Sequence, residues 1–331
     1  MAQPNLNRSG EPSKNARWLR LLGLLLMATA LAVALSRAPD RPVATLVARW
    51  APPPSDFIEV KGQLVHVRDE GPRSDAAPLL LLHGTASSLH TWEGWVATLR
   101  KTRRVVSFDM PGFGLTGPFA GRYDTDDYRG DTYARFVLDL MDALKIGRAV
   151  IAGNSLGGEV AWRAATLAPA RFERLILIDA AGYALAPQDV PLGFRLAYVP
   201  LVSRVSEHLL PRALVASSVH SVYGDPSRIS DALVDRYFEL TLREGNRHAL
   251  GLRLQQLEAG AHAERIRTID MPTLILWGGR DRLIPLADGR RFAAEIRGAQ
   301  LVVFDELGHV PHEEDPARTL APVLAFLETT R

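Results

Sequence analysis

The chain has no cysteine, which excludes disulfides, thiolate metal sites, a cysteine nucleophile and a lipidated cysteine anchor. It also lacks a charge bias, since 39 Lys and Arg against 37 Asp and Glu leave a formal charge of only +2 over 331 residues. With no basic surface interleaved with aromatics, nothing points to nucleic acid. There is no H-E-x-x-H or other clustered ligand pattern, no Walker lysine and no internal repeat. No metal and no cofactor is implied, and no obligate protein partner is evident. What is present is a globular composition, 47% hydrophobic and 23% charged, long enough for one large domain or a domain with an insertion.

Some of the apolar content sits near the N-terminus. Residues 1–20 are polar and basic, whereas 21–36 carry no charge, are rich in Leu and Ala, and lie between Arg20 and Arg37. Sixteen helical residues reach about 24 Å, short of a hydrocarbon core of about 30 Å, a gap that Trp18 and snorkelling arginines would narrow. We expect 21–36 to be a single-pass membrane anchor. The slight excess of Arg8, Lys14, Arg17 and Arg20 before it would put the catalytic domain on the outer, periplasmic side. The alternative is a cleaved signal segment, using small-x-small steps such as Ala30-Leu31-Ala32, and a secreted protein. Residues 37–55, with Pro39, Pro42 and Pro52-Pro53-Pro54, read as a stiff linker before a domain at 56–331.

Within that domain, short β-branched or leucine-rich runs predict strands at 57–60, 64–68, 79–82, 105–108, 149–152, 175–178, 273–277 and 301–304. The later ones are uninterrupted apolar runs, as in parallel strands covered on both faces. Helical patterns at 128–144 and 159–167 separate them, and Lys61-Gly62 suits a hairpin at an antiparallel edge. The expectation is an α/β fold with a mostly parallel, doubly wound, eight-stranded sheet. Between 183 and 267 the alternation stops, leaving amphipathic stretches at 192–210, 233–243 and 250–264. That length suits a helical insertion on the active-site edge, a cap.

Gly153-Asn154-Ser155-Leu156-Gly157-Gly158 stands where an expected strand meets a helix. This is the G-x-S-x-G nucleophile elbow in its strand–turn–helix setting: a sharp turn crowds its flanks, so near-absent side chains are required there, and the serine hydroxyl is exposed at a helix N-terminus. The Leu156 N–H and the helix dipole would then stabilise an oxyanion beside Ser155. A serine nucleophile needs a base, and the base an orienting carboxylate. Asp281 follows the strand at 273–277, and His309 follows a glycine after the strand at 301–304. His312 and Asp179 are the rivals for these roles. His83-Gly84-Thr85 follows the strand at 79–82, placing the Thr85 N–H as a second oxyanion donor, with His83 as an organiser of the loop. Asp109-Met110-Pro111-Gly112-Phe113-Gly114 reads as a turn that shapes the site.

Together these stretches, with Gly279-x-Asp281 and Gly308-His309-x-Pro311, resemble the α/β-hydrolase superfamily over about residues 56 to 331. The resemblance implies a cap at 183–267 whose inner face forms the substrate pocket. It also implies a nucleophile–acid–base set of Ser155, Asp281 and His309. Haloalkane dehalogenases and epoxide hydrolases of this superfamily carry aspartate at the elbow, so Ser155 argues against both. The Gly-Asn-Ser-x-Gly-Gly form resembles esterases and also hydrolases of carbon–carbon bonds in aromatic ring-fission products. The expectation is therefore a serine hydrolase cleaving small or medium apolar esters. The alternatives are carbon–carbon bond hydrolysis and, from a different class, a non-catalytic small-molecule receptor on the same fold.

Overall fold

The structure is a computed structural model that describes residues 14–184 and 209–328. Eight strands form one sheet: β1 Asp56–Val60, β2 Gln63–Glu70, β3 Leu79–Leu82, β4 Val105–Phe108, β5 Ala149–Asn154, β6 Phe172–Ile178, β7 Thr273–Gly278 and β8 Gln300–Phe304. Their order is β1-β2-β4-β3-β5-β6-β7-β8. β1 and β2 pair antiparallel, β2 meets β4 antiparallel, and every later pairing is parallel. The β1–β2 hairpin turns on Lys61 and Gly62, both at positive φ (52° and 88°), the twist a tight two-residue hairpin requires.

Alternation along each strand sends side chains to two apolar layers. Leu80, Leu82, Val106, Phe108, Ile151, Leu175, Leu177 and Ile275 enter one. Leu79, Leu81, Val105, Val150, Ile176, Ile178, Leu274 and Leu276 enter the other. Both faces are thus covered, which is why the strands read as continuous apolar runs. The chain steps from β3 to β4 on one side and then to β5 on the other. Such a reversal of strand order opens a crevice beyond the carboxyl ends of β3 and β5, where ligands of open α/β sheets bind.

The helices outside the insertion are α1 Lys14–Ser36, α2 Ala44–Trp50, α3 Glu93–Leu99, α4 Gly130–Ala143 and α5 Leu156–Leu167. Between β6 and β7 lie α6 Arg212–Val222, α7 Asp231–Thr241 and α8 Asn246–Gln255; α9 Leu286–Glu295, α10 Pro311–Glu314 and α11 Pro316–Glu328 follow. The helix expected at 233–243 is α7, which starts earlier because Ser230 Oγ caps it by accepting from Leu233 N at 3.1 Å. The stretch at 250–264 is not one helix. α8 stops at Gln255, and Gly260 and His262, at φ 80° and 64°, turn the chain. The expectation for 192–208 lies outside the described residues.

Two N-terminal expectations change. Among the described residues, no helix is long and apolar enough to cross a membrane. The exposed apolar side chains of α1, including Trp18, Leu21 and Leu25, lie on a short stretch, and the uncharged run falls below the bilayer core in length. The membrane anchor and the periplasmic placement built on it are therefore withdrawn. The 37–55 segment does not behave as a free spacer but is folded against the insertion. Arg41 N donates to Leu242 O at 2.7 Å and Arg41 O accepts from Glu244 N at 2.9 Å. α2 buries Leu46 against Leu115 and Leu240, and Glu239 accepts from Arg49 Nη1 and Trp50 Nε1, both at 2.7 Å.

Candidate active site

Ser155 stands between β5 and α5 with φ 55° and ψ −117°, a backbone region that is costly for a residue with a β-carbon. Its backbone is tied to the end of β6: Ser155 N donates to Ile178 O at 3.0 Å, and Ser155 O accepts from Ala181 N at 3.1 Å. The first turn of α5 lies on β3 so closely that a Cβ on Gly157 would come within 2.2 Å of Leu82 O. As the first residue of α5, Leu156 has an N–H with no intrahelical acceptor.

The facing loop after β3 is built on His83. Its Nε2 accepts from Met110 N at 2.9 Å, so the proton is on Nδ1, which donates to Gly84 O at 2.7 Å. Burial lowers the His83 pKa, and the ring is a neutral organiser, as expected. Gly84 brings this loop onto the elbow, where a Cβ would sit 3.2 Å from Ser155 Cβ. Thr85 follows, half-buried, at the crevice between β3 and β5.

On the other side of the elbow, His309 Nδ1 donates to Asp281 Oδ2 at 2.7 Å, and neither side chain is more than 5% exposed. Asp281 Oδ1 accepts from Leu283 N at 2.7 Å and Ile284 N at 3.1 Å. Asn154 Nδ2 donates to Ile178 O at 3.2 Å and to His309 O at 2.9 Å, joining the elbow to the histidine loop. The structure thus brings Asp281 and His309 into contact and places Ser155, Leu156 and Thr85 on adjacent loops of the same sheet edge. Among the described residues, no hydrogen bond joins Ser155 Oγ to His309.

The rivals are placed differently. His312 is wholly buried, its ring 4.1 Å from that of Trp92 and its Nε2 3.0 Å from Thr91 Oγ1; burial lowers its pKa to about 3. It is a packed histidine. Asp179 follows β6, with its carboxylate within 4.8 Å of the ligand-type atoms of Asp281 and His309. These three form the one group among the described residues whose donors could share a cation. Asp281 is already occupied by His309 Nδ1 and two backbone N–H groups, and Asp179 Oδ1 by Gly278 N, so the set reads as an acid–base array.

Two supporting residues had no assigned role in the sequence. Asn154 is one. Glu314 is the other: its buried carboxylate accepts from Gly308 N at 2.8 Å, Gly224 N at 3.0 Å and Asp225 N at 2.8 Å. It thereby fixes the loop that carries His309 against the insertion. Only its place five residues after His309 hinted at this. The insertion also contacts the site directly. His309 N donates to Val222 O at 2.7 Å, Tyr237 OH donates to Glu313 Oε2 at 2.8 Å, and Arg236 pairs with Glu313.

Residues 77–316 match the sequence family described as the alpha/beta hydrolase fold. The chain is similar to 2-hydroxymuconate semialdehyde hydrolase of a Pseudomonas species, 30% identical over 76% of this chain and 86% of that protein. Among solved structures, a hydrolase from Pseudomonas aeruginosa superposes with a TM-score of 0.70 at 26% identity, covering 84% of this chain and 99% of its own. The meta-cleavage product hydrolase of Pseudomonas fluorescens superposes with a TM-score of 0.70 at 28% identity, covering 82% and 97%.

Proposed function

Because this chain belongs to the alpha/beta-hydrolase family, we propose that it is a serine hydrolase of small or medium apolar carboxylic esters, with Ser155 as nucleophile, His309 as base and Asp281 as its orienting acid. The observation that carries this is Ser155 held at φ 55° on the edge where the 2.7 Å His309–Asp281 pair stands. His309 Nε2 takes the Ser155 proton as Oγ attacks the ester carbonyl; the contact tightens when substrate aligns the two side chains. The Leu156 and Thr85 N–H groups hold the tetrahedral oxyanion, and the imidazolium forming at His309 is stabilised by Asp281. The intermediate collapses as His309 returns its proton to the departing alcohol. Water deprotonated by His309 then cleaves the acyl-enzyme, releasing the acid and restoring Ser155.

Residues 183–267 form the cap in this reading, supported by the contacts of α6 and α7 with the His309 loop and with Ser87 at 3.4 Å from Tyr237. A second reading, hydrolysis of a carbon–carbon bond in a ring-fission product, is favoured by the relative named 2-hydroxymuconate semialdehyde hydrolase. The test is labelling with a fluorophosphonate, followed by parallel assays on p-nitrophenyl esters of graded length and on 2-hydroxymuconate semialdehyde. Labelling with faster ester turnover supports the first reading, and preference for the semialdehyde supports the second. An unlabelled, folded protein refutes both and leaves the receptor.

A further inference from the structure

The proposed triad leaves a neighbouring carboxyl without a task. Asp179 is wholly inaccessible, and its Oδ1 accepts from Gly278 N at 2.8 Å. Its Oδ2 is buried with no donor to accept from. A carboxylate oxygen left in that condition is strongly unfavourable, whereas a hydroxyl there would face the Asp281 carboxylate, which stands within 4.8 Å. Two adjacent carboxyls in a dry site do not both ionise. Asp281 receives three N–H donors and Asp179 one, so the proton belongs on Asp179. Burial first, and then the charge of Asp281, raise the Asp179 pKa well above the usual carboxylic range. The backbone agrees with this choice of residue: Asp179 has φ 44°, which Asp and Asn tolerate better than other side chains.

We propose that Asp179 is a positioning residue of this site, a neutral carboxylic acid whose Oδ2–H donates to Asp281 and holds that carboxylate against His309. The inference rests on the Ser155–His309–Asp281 reading above. Its consequence is a controlled charge. With Asp179 neutral, the array carries one negative charge while His309 is a free base, and none once the imidazolium forms. With both carboxyls ionised, a second buried negative charge beside Asp281 would stay uncompensated when His309 takes the Ser155 proton. The titratable groups facing Asp179 are Asp281, His309 and, at longer range, Glu314.

The test uses the full chain and two variants. Asp179→Asn keeps an acceptor for Gly278 N and a donor toward Asp281, and it suits the backbone. Asp179→Gly removes both groups without backbone strain. The expected result is a fluorophosphonate labelling rate within about threefold of wild type for Asp179→Asn, with the acid limb of its pH profile unmoved. Asp179→Gly should label at least tenfold more slowly. An infrared difference between wild type and Asp179→Asn at pH 8 should carry the C=O band of one protonated carboxyl. Absence of that band, or an acid limb displaced to lower pH by a unit in Asp179→Asn, would mean that Asp179 is ionised and would overturn the proposal. If wild type does not label, the triad reading fails, and the infrared band still decides the state of Asp179.

Discussion

His309 and His66 each donate Nδ1–H to a buried carboxylate at 2.7 Å, Asp281 in one region and Asp109 in the other. The second pair even has its serine, since Ser55 Oγ lies 2.9 Å from His66 Nε2. What separates the two arrays is everything around that connectivity. Ser55 has an ordinary backbone conformation, and its hydroxyl also accepts from Arg68 Nε at 2.9 Å. His66 is wholly inaccessible. Asp109 is consumed by backbone, accepting from Leu89 N and Leu115 N, each at 2.7 Å; burial would raise its pKa, but the neighbouring histidines hold it well below the carboxylic range. Ser155, by contrast, is held at positive φ beside the first N–H of a helix, half-exposed at the crevice. A Ser–His–Asp chain is thus a structural clamp where its groups are saturated. In the proposed function, it becomes a reactive site where strain, access and spare N–H donors converge.

The comparison breaks most sharply at the serines. Ser155→Ala should reduce turnover and labelling by more than about 10³-fold with the thermal midpoint unchanged; near-wild-type activity in this variant would refute the nucleophile. Asp281→Asn should lower kcat by about 10³- to 10⁴-fold, because His309 then loses the acceptor that sets its tautomer. Measured stability in Asp281→Asn should change far less than in its counterpart.

That counterpart, Asp109→Asn, should leave labelling of the folded fraction intact while costing about 3 kcal/mol in denaturant unfolding, since three buried donors lose a charged acceptor. A catalytic defect without a stability defect would exchange the roles assigned to the two arrays.

Acid should strike the clamp region. Burial lowers the His90 pKa to about 4, and its Nε2–H donates to Trp50 O at 2.7 Å. A histidine neutral in the fold but protonated when unfolded makes stability fall as pH drops from about 6.5 toward 4, by up to about 1.4 kcal/mol per pH unit. His90→Gln, whose amide retains a donor, should flatten that slope; an unchanged slope would show that His90 does not drive it. The smallest effect is expected for Ser55→Ala, a loss of about 1 kcal/mol in stability with labelling within threefold of wild type.

The parallel strands were legible because a sheet covered on both faces imposes continuous apolar runs, and β1 and β2 because β-branched residues flank the Lys61-Gly62 turn. Ser155, Asp281 and His309 were legible for a related reason: each follows such a run and is marked by glycines that the turns demand. The N-terminal region misled. The charge-free run reads as an anchor with Trp18 and arginines making up its shortfall in length, whereas no described helix is long and apolar enough to cross a membrane, and the prolines of 37–55 do not reveal that the segment packs on α7. The contacts of Glu314, Asn154 and the Ser55–His66–Asp109 clamp could not be read from the sequence, because their partners are backbone groups or residues far along the chain.

The sequence by itself determined the strand periodicities and the positions of Ser155, Asp281 and His309 beyond strand ends, since each depends on spacing over a few residues. Only the tertiary structure decided that Asp179 stands against Asp281, that His312 is packed and not reactive, and that Arg49 and Trp50 meet Glu239. These depend on which strand ends share an edge and on which surfaces close over one another. That information lies in pairings across about 100 to 220 positions, where burial and electrostatics are set by the fold as a whole.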